Sequence, residues 1–300
     1  MKYAYFPGCS VEASAHEYGM SCMAINKVLG IELIEIPDWN CCGSIDAVHA
    51  RNPELSLSLS ARNFSIAETM NMDIVTLCSA CFFTLSRASK MLREDPDIKA
   101  KVDKIINDAG LKFTGESKIR HYLDVLINDV GPSKIAEKVK VPLKGLKVAP
   151  YYGCLLVRPP QVRGFDDPEH PKSMDKIIEA IGAKSLDYPD KTRCCGASLV
   201  LTDESVMLEM TRDVLMSAKT IGADCIVTPC PMCHFNLDAK QADVEDRFDT
   251  KIEMPILYFT QLMGLAFGLN PKDLGLGRNV VSLKNILEKI KTPIEVTTKA

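Results

Sequence analysis

The 300-residue sequence lacks any charge imbalance: 36 lysines and arginines face 39 aspartates and glutamates, a formal net charge of −3. Without a basic field there is no electrostatic footprint for nucleic acid or anionic lipid, so an anionic ligand must be held by local groups. Long apolar runs are lacking too. The most apolar window, Met254 to Leu269, is interrupted by Pro255, Thr260 and Gln261. It falls short of the roughly 20 residues that span a bilayer, reads as a core helix, and leaves no membrane span expected. In Met1-Lys2-Tyr3-Ala4-Tyr5-Phe6-Pro7-Gly8-Cys9 the turn residues arrive too early for the apolar region of a signal peptide. Export is not expected and a reducing, cytoplasmic setting is. There is no CxxCxxCxxxC ferredoxin run, and Gly275-Leu276-Gly277 lacks the third glycine and the setting of a dinucleotide fingerprint. No flavin or nucleotide is expected on this chain. With 46% hydrophobic and 25% charged residues the composition is that of an ordinary folded protein, which excludes disordered and fibrous classes.

Cysteine is abundant. Twelve cysteines in a chain without an export signal point to metal ligands or redox groups rather than structural disulfides. Their order is written twice. Tyr3-Ala4-Tyr5-Phe6-Pro7-Gly8-Cys9 answers to Val148-Ala149-Pro150-Tyr151-Tyr152-Gly153-Cys154, and Pro37-Asp38-Trp39-Asn40-Cys41-Cys42-Gly43 to Pro189 through Cys194-Cys195-Gly196. Asp73 through Cys78-Ser79-Ala80-Cys81 answers to Asp224 through Cys230-Pro231-Met232-Cys233. Cys41 and Cys194 lie 153 residues apart and Cys78 and Cys230 lie 152 apart, so the register barely drifts. A weaker fourth match sets Ile119–Leu126 against Pro255–Leu262. The segment from Gly131 to Gly145, with Gly131-Pro132, Pro142 and several lysines, reads as a linker. It divides a first cysteine-rich repeat, residues 1–138, from a second, 139–300.

The expected fold is α/β, with two pseudo-symmetric repeats that each form a mainly parallel sheet flanked by helices. Short apolar runs at Tyr3–Phe6, Ile31–Ile36 and Ile74–Leu77 have the length of buried strands, and helical segments lie between them. Asn52-Pro53 and Asp95-Pro96 read as N-cap and N1 proline, Gly110 as the C′ residue of a helix, and Thr202 or Asp203 as a helix start. Strand and helix alternation argues for parallel pairing. Ligands of open parallel sheets gather at the carboxyl ends of strands, which is where Cys9, Cys41-Cys42 and Cys78 fall, and with them Cys154, Cys194-Cys195 and Cys230.

Each half thus offers five candidate metal ligands: Cys9, Cys41, Cys42, Cys78 and Cys81, then Cys154, Cys194, Cys195, Cys230 and Cys233. A tetrahedral zinc or an ordinary four-iron cubane uses four. Adjacent cysteines point in different directions and hardly chelate one ion together, which suits a polynuclear cluster whose separate irons each take one sulfur. The fifth thiol either bridges irons or is a spare buried thiol, and a structural zinc site in each half is the competing reading. Gly43 and Gly196 would bring a backbone N–H close to inorganic sulfide. Cys22, in a helical segment, and Cys225, in a strand, read as small buried hydrophobes. The Met207 to Met216 stretch reads as a core-facing helix. The interval from Cys154 to Cys194 is 40 residues against 32 from Cys9 to Cys41, and its extra length carries Arg158 and Arg163, stiffened by Pro159 and Pro160. These two arginines are candidate clamps for a sulfonate or phosphate of a substrate, with a structural surface loop as the alternative. His234, beside Cys233, is a candidate proton donor or packing residue. His16, His49, His121 and His170 read as surface or capping residues.

Paired Cys-Cys-Gly stretches with a downstream CxxC resemble the cysteine-rich CCG domain family found in the B subunit of methanogen heterodisulfide reductase and in related iron-sulfur subunits. Gly153-Cys154-Leu155-Leu156-Val157-Arg158-Pro159-Pro160 and Cys230-Pro231-Met232-Cys233-His234 carry it most strongly, and it covers nearly the whole chain. The resemblance implies two four-iron four-sulfur clusters of non-cubane type, one per five-cysteine set. It implies reduction of the coenzyme M–coenzyme B heterodisulfide to two thiols; since that takes two electrons and a cluster ordinarily passes one, each cluster is expected to supply one. Its implied partners are a ferredoxin-like iron-sulfur subunit and a flavin-containing subunit, with a small disulfide as substrate. The alternatives are an iron-sulfur electron-transfer subunit of a lactate-, glycolate- or quinone-linked oxidoreductase, and a zinc-stabilised scaffold without turnover. Purified without air, the protein should be brown and carry roughly eight irons with matching sulfide, two four-iron clusters' worth; a colourless protein holding zinc in an iron and sulfide assay would sink the cluster expectation.

Overall fold

The computed structural model describes residues 1–44 and 51–291; His49 lies outside them. Strands β1 (Lys2–Phe6), β2 (Glu32–Glu35), β3 (Ile74–Thr76) and β4 (Ile119–His121) form one sheet in the order β2-β1-β3-β4. Strands β5 (Lys147–Pro150), β6 (Lys184–Ser185), β7 (Cys225–Thr228) and β8 (Ile256–Tyr258) repeat it as β6-β5-β7-β8. Every pairing is parallel, and the registers correspond: Thr76 lies opposite His121 and Thr228 opposite Tyr258. The three strands foreseen in the first half all form. Ile74, Val75 and Thr76 are buried throughout, as strands covered on both faces must be. The weak fourth match marks the outer strands β4 and β8. The window Met254 to Leu269 is therefore not one helix: Ile256–Tyr258 is buried strand, and only the stretch from Phe259 onward is helical.

The principal helices of the first half are α1 (Cys9–Ala13), α2 (His16–Leu29), α3 (Pro53–Thr69), α4 (Ser79–Glu94) and α5 (Pro96–Asn107). Asn52 caps α3 by accepting from Leu55 N, and Asp95 caps α5 by accepting from Asp97 N and Ile98 N, each ahead of an N1 proline. Gly110 sits one residue beyond C′, since the C-cap is Asp108. The segment read as a linker carries a helix of its own, α6 (Pro132–Glu137). Its Ile135 is fully buried, and Lys140 N and Val141 N both donate to Ala266 O, so this stretch is packed rather than free. The second half contributes α7 (Glu204–Thr220), capped by Asp203, then α8 (Pro231–Ala239) and α9 (Phe259–Ala266). Met207 of α7 is buried, and Cys22 and Cys225 are fully buried, as expected of core residues.

The two halves share their interior. One apolar cluster contains Tyr18 and Tyr122 with Tyr152 and Tyr258; another joins Phe6 and Phe64 to Tyr151 and Tyr188. Helix α2 crosses to the second half and packs on α9, where Ser21 Oγ and Thr260 Oγ1 lie 2.7 Å apart in a buried hydrogen bond. Tyr18 stacks on Tyr258 with centroids 4.1 Å apart. Gly275 closes this seam. Its φ is +66°, and a Cβ there would stand 2.4 Å from Glu17 Cβ and 2.7 Å from Glu17 Cα. Gly222, with φ +73°, has nothing within 4 Å of such a Cβ. Gly275→Ala should cost about 2–4 kcal/mol, through backbone strain plus overpacking, against about 1 kcal/mol for Gly222→Ala, where strain acts alone. Denaturant titration of the two variants checks this; equal losses would show that α2 yields to the new methyl.

Candidate metal centre

In a sheet ordered 2-1-3-4 the chain leaves β1 and β3 toward opposite sides, which opens a crevice at their carboxyl ends. Cys9 begins α1 just beyond β1, and Cys78 is the N-cap of α4 just beyond β3. Cys154 follows β5, and Cys230 is the N-cap of α8 after β7. The CxxC pairs thus sit on the first turns of two helices, where the positive end of the backbone dipole favours thiolate. All twelve cysteines are free.

The vicinal cysteines arrive on loops held by the following helix. Ser60 Oγ of α3 donates to Cys42 O at 2.8 Å, and Ser56 Oγ to Gly43 O at 2.8 Å. In the second half Thr211 Oγ1 of α7 donates to Cys195 O at 3.0 Å, reinforced by Asn236 Nδ2 at 3.1 Å. Gly43 N donates to Cys41 Sγ at 3.5 Å and Gly196 N to Cys194 Sγ at 3.4 Å. Both amides thus face a cysteine sulfur two residues back. Gly8 and Gly153, both at positive φ, stand so near the sulfurs that a Cβ would lie 3.0 Å from Cys81 Sγ and 3.2 Å from Cys233 Sγ.

In both halves the sulfurs form a chain of contacts. Cys9 meets Cys41, Cys41 meets Cys42, Cys42 meets Cys81, and Cys81 meets Cys78. Cys154 meets Cys194, Cys194 meets Cys195, Cys195 lies 3.5 Å from Cys233, and Cys233 meets Cys230. The vicinal pair divides as its backbone direction requires, one member toward the Gly-Cys cysteine and the other toward the CxxC. The Cys78 and Cys230 thiols also interact, which couples the two sets. Sulfur hydrogen bonding polarises the chains. The bond from Cys154 brings Cys194 down to about 3, and bonds from Cys41 and from Cys233 hold Cys42 and Cys230 well below an ordinary thiol. The CxxC and second vicinal cysteines are buried, while Cys41, Cys154 and Cys194 are half-buried and Cys9 is exposed.

Two kinds of metal group compete for such a donor set, a single zinc ion and an iron-sulfur cluster. Among the described residues no three His, Cys, Asp or Glu side chains are arranged to hold a single metal ion. Sulfurs spread along a chain of pairs suit separate irons of a polynuclear cluster, in which each thiolate finds its own metal, better than the convergent tetrahedron of zinc. The residues fit an iron-sulfur cluster in each half.

The other candidates lie elsewhere. Arg158 donates Nε to Pro168 O, Nη2 to Thr192 Oγ1 at 2.9 Å and Nη2 to Glu169 at 2.7 Å, so its fork ties its own loop to the turn that leads to Cys194. The side chain of Arg163 lies outside the described residues. His234 is buried and stacked on Tyr258 with centroids 4.2 Å apart, and burial pushes it down to about 4, leaving a neutral ring at pH 7. His16 and His170 are exposed. His121 is a cap, accepting from Leu123 N, but is wholly buried rather than at the surface. Sequence reading also passed over Arg87 of α4, which with Gly43, Ser44, Cys154, Leu155 and Ser198 lines a cleft of about 240 Å³ between the Gly43 loop and Cys154. Only its place on the helix that begins at Cys78 would have signalled it.

Comparison with known proteins places the chain in a family. The cysteine-rich domain family, CCG, matches residues 3–86 and 148–238. The 8-methylmenaquinol:fumarate reductase membrane anchor subunit of Wolinella succinogenes is 38% identical over 280 residues, covering 93% of this chain and 97% of that protein. The B subunit of the ferredoxin:CoB-CoM heterodisulfide reductase of Methanosarcina mazei is 36% identical over 294 residues, covering 96% and 97%. A hypothetical protein from Helicobacter pylori, of known crystal structure, shares the fold with a TM-score of 0.74 at 16% identity; the match covers 94% of this chain and 52% of that one. Among the described residues of this chain no helix is long and apolar enough to cross a membrane.

The close approach of Gly153 to Cys233 gives a test of the second set alone. Gly153→Ala should remove the iron of that set and leave the first set loaded, read as partial loss of iron and sulfide in a protein that still folds by circular dichroism. Full iron retention would show that Cys233 does not need this approach.

Proposed function

The chain belongs to the cysteine-rich CCG family that includes the B subunit of heterodisulfide reductase, and from this premise we propose that it reduces the coenzyme M–coenzyme B heterodisulfide to two thiols. It is an iron-sulfur redox subunit that works with partner subunits. The observation that carries the finer reading is the interaction of the two cysteine sets through Cys78 and Cys230, with one cleft running from Gly43, next to Cys42 of the first set, to Cys154 of the second. Cleaving a disulfide consumes two electrons and two protons, and two adjacent one-electron sites meet that demand at one bond.

When bound, a four-iron cluster at each set supplies electrons one at a time. Five thiols per set, with a vicinal pair whose members reach different neighbours, support a non-cubane form. Gly43, Ser44, Cys154 and Ser198 line the cleft in which a disulfide would lie, and Leu57, Phe83 and Leu155 add apolar groups to its wall. A cleft of about 240 Å³ is smaller than the usual ligand pocket, so it takes the sulfur-bearing end of a substrate and leaves a long tail outside. The guanidinium of Arg87 supplies the positive charge that an anionic substrate group needs close to that end. Arg158, which donates to Pro168 O, Thr192 Oγ1 and Glu169, shapes the approach. His234 is neutral, hence a weak acid, and is not among the residues lining the cleft, so the product thiols take their protons from water entering the cleft. The reading requires a reducing compartment, in which twelve thiols stay free, and electrons from a ferredoxin-like subunit fed by a flavin-containing one.

The Wolinella relative favours a second reading, an electron-transfer subunit of a quinol-linked reductase. The anaerobically reconstituted chain, reduced with a viologen dye, should release thiols from the heterodisulfide and should not oxidise 8-methylmenaquinol. The opposite result overturns the first reading in favour of the second. Arg87→Leu should raise KM for the heterodisulfide by roughly tenfold, the worth of one charge-assisted hydrogen bond, with kcat little changed.

A further inference from the structure

Between the halves lies a buried histidine that the redox chemistry does not use. His121 ends β4 and caps the short helix beyond it. Its Nδ1 accepts from Leu123 N at 3.1 Å, which requires that nitrogen to be unprotonated. The ring is neutral, because burial pushes it down to about 4. Its single proton is therefore on Nε2. That nitrogen stands 3.0 Å from Leu77 O and 3.2 Å from Pro229 O, so one N–H is shared between two carbonyls.

Those carbonyls are not ordinary ones. Leu77 O belongs to the peptide bond that enters Cys78, and Pro229 O to the one that enters Cys230. These are the first cysteines of the two CxxC turns, whose thiols interact across the seam. The ring is kept in place by Phe82, edge to face with centroids 5.8 Å apart. Tyr18 OH donates to Pro229 O at 3.2 Å as a second tie from the same side. The equivalent position in the second half is Tyr258, which makes no such bridge and stacks on Tyr18 instead. The duplication is broken where a single group must serve both halves.

We infer that His121 is a positioning residue that sets the separation of the two cysteine sets by tying the Cys78 and Cys230 turns to one N–H. The inference rests on reading the two sets as paired sites, and its test uses the metal-free full-length chain. Diamide, which takes up the two hydrogens lost when two thiols join, will oxidise cysteines whose thiols are held near one another. Mass spectrometry then gives the yield of the Cys78–Cys230 disulfide relative to Cys195–Cys233, a pair lying within the second half and 3.5 Å apart.

His121→Asn keeps an acceptor for Leu123 N and so keeps the helix cap, but is too short to reach the two carbonyls. Its Cys78–Cys230 yield relative to Cys195–Cys233 should fall by roughly tenfold as the held proximity is lost. His121→Gln, whose amide nitrogen extends to the Nε2 position, should restore it. An unchanged ratio in His121→Asn overturns the inference. Loss of both disulfides together overturns it as well, because it marks a role in the fold as a whole. Iron plays no part in this readout, so its failure leaves the redox reading standing, and a failure of cluster assembly or of disulfide reduction leaves this inference standing.

Discussion

Two carbonyl oxygens, those of Leu77 and Pro229, approach one another at the seam between two sheets, and a buried acceptor without a donor is costly. His121 and Tyr18 satisfy them, both from the first half. Once they are held, the turns beyond them are held too, and the Cys78 and Cys230 thiols interact. Packing around the seam serves the same end. Tyr18 is pinned between Tyr258 and Phe259, and α2, which carries it, is fastened to α9 by Ser21 and Thr260. A polar contact at the centre of the molecule thus depends on aromatic packing at its edge.

The two halves are alike wherever a sulfur must be placed and unlike wherever the halves meet. Ser60 and Thr211 hold the carbonyls of Cys42 and Cys195; Gly8 and Gly153 make room for the sulfurs of Cys81 and Cys233. These pairs follow from duplication because each half faces the same local problem. The seam poses a problem that arises once, and His121 answers it while Tyr258 takes a different part. The longer second interval is likewise absorbed locally, by Arg158 binding Pro168 O, Thr192 and Glu169.

Much of the site could be read in one dimension because its spacing is local or repeated. A Gly-Cys after a strand, a Cys-Cys-Gly and a CxxC at a helix start each involve neighbours in the chain. Asn52, Asp95 and Asp203 announced their helices for the same reason: a cap bonds to residues two or three positions on. The strands β4 and β8 were harder to see. Each is three residues long and runs directly into a helix, so β8 merged into an apolar window that periodicity reads as helix. The stretch from Gly131 to Gly145 looked like a linker because lysines and prolines mark exposure on average, whereas Ile135 is buried against a neighbour supplied by the rest of the chain.

The sequence alone determined the duplication, the parallel α/β class, ten candidate ligands and the thiol chemistry they offer, since these depend on residue type and on distances along the chain. Only the tertiary structure decided that the two sets interact, that Arg87 and Cys154 share a cleft, and that His121 is buried between two strand ends. Leu77 and Pro229 are joined through a residue lying 44 positions from one and 108 from the other. No local pattern encodes such a contact, because it forms only after both sheets have folded and packed.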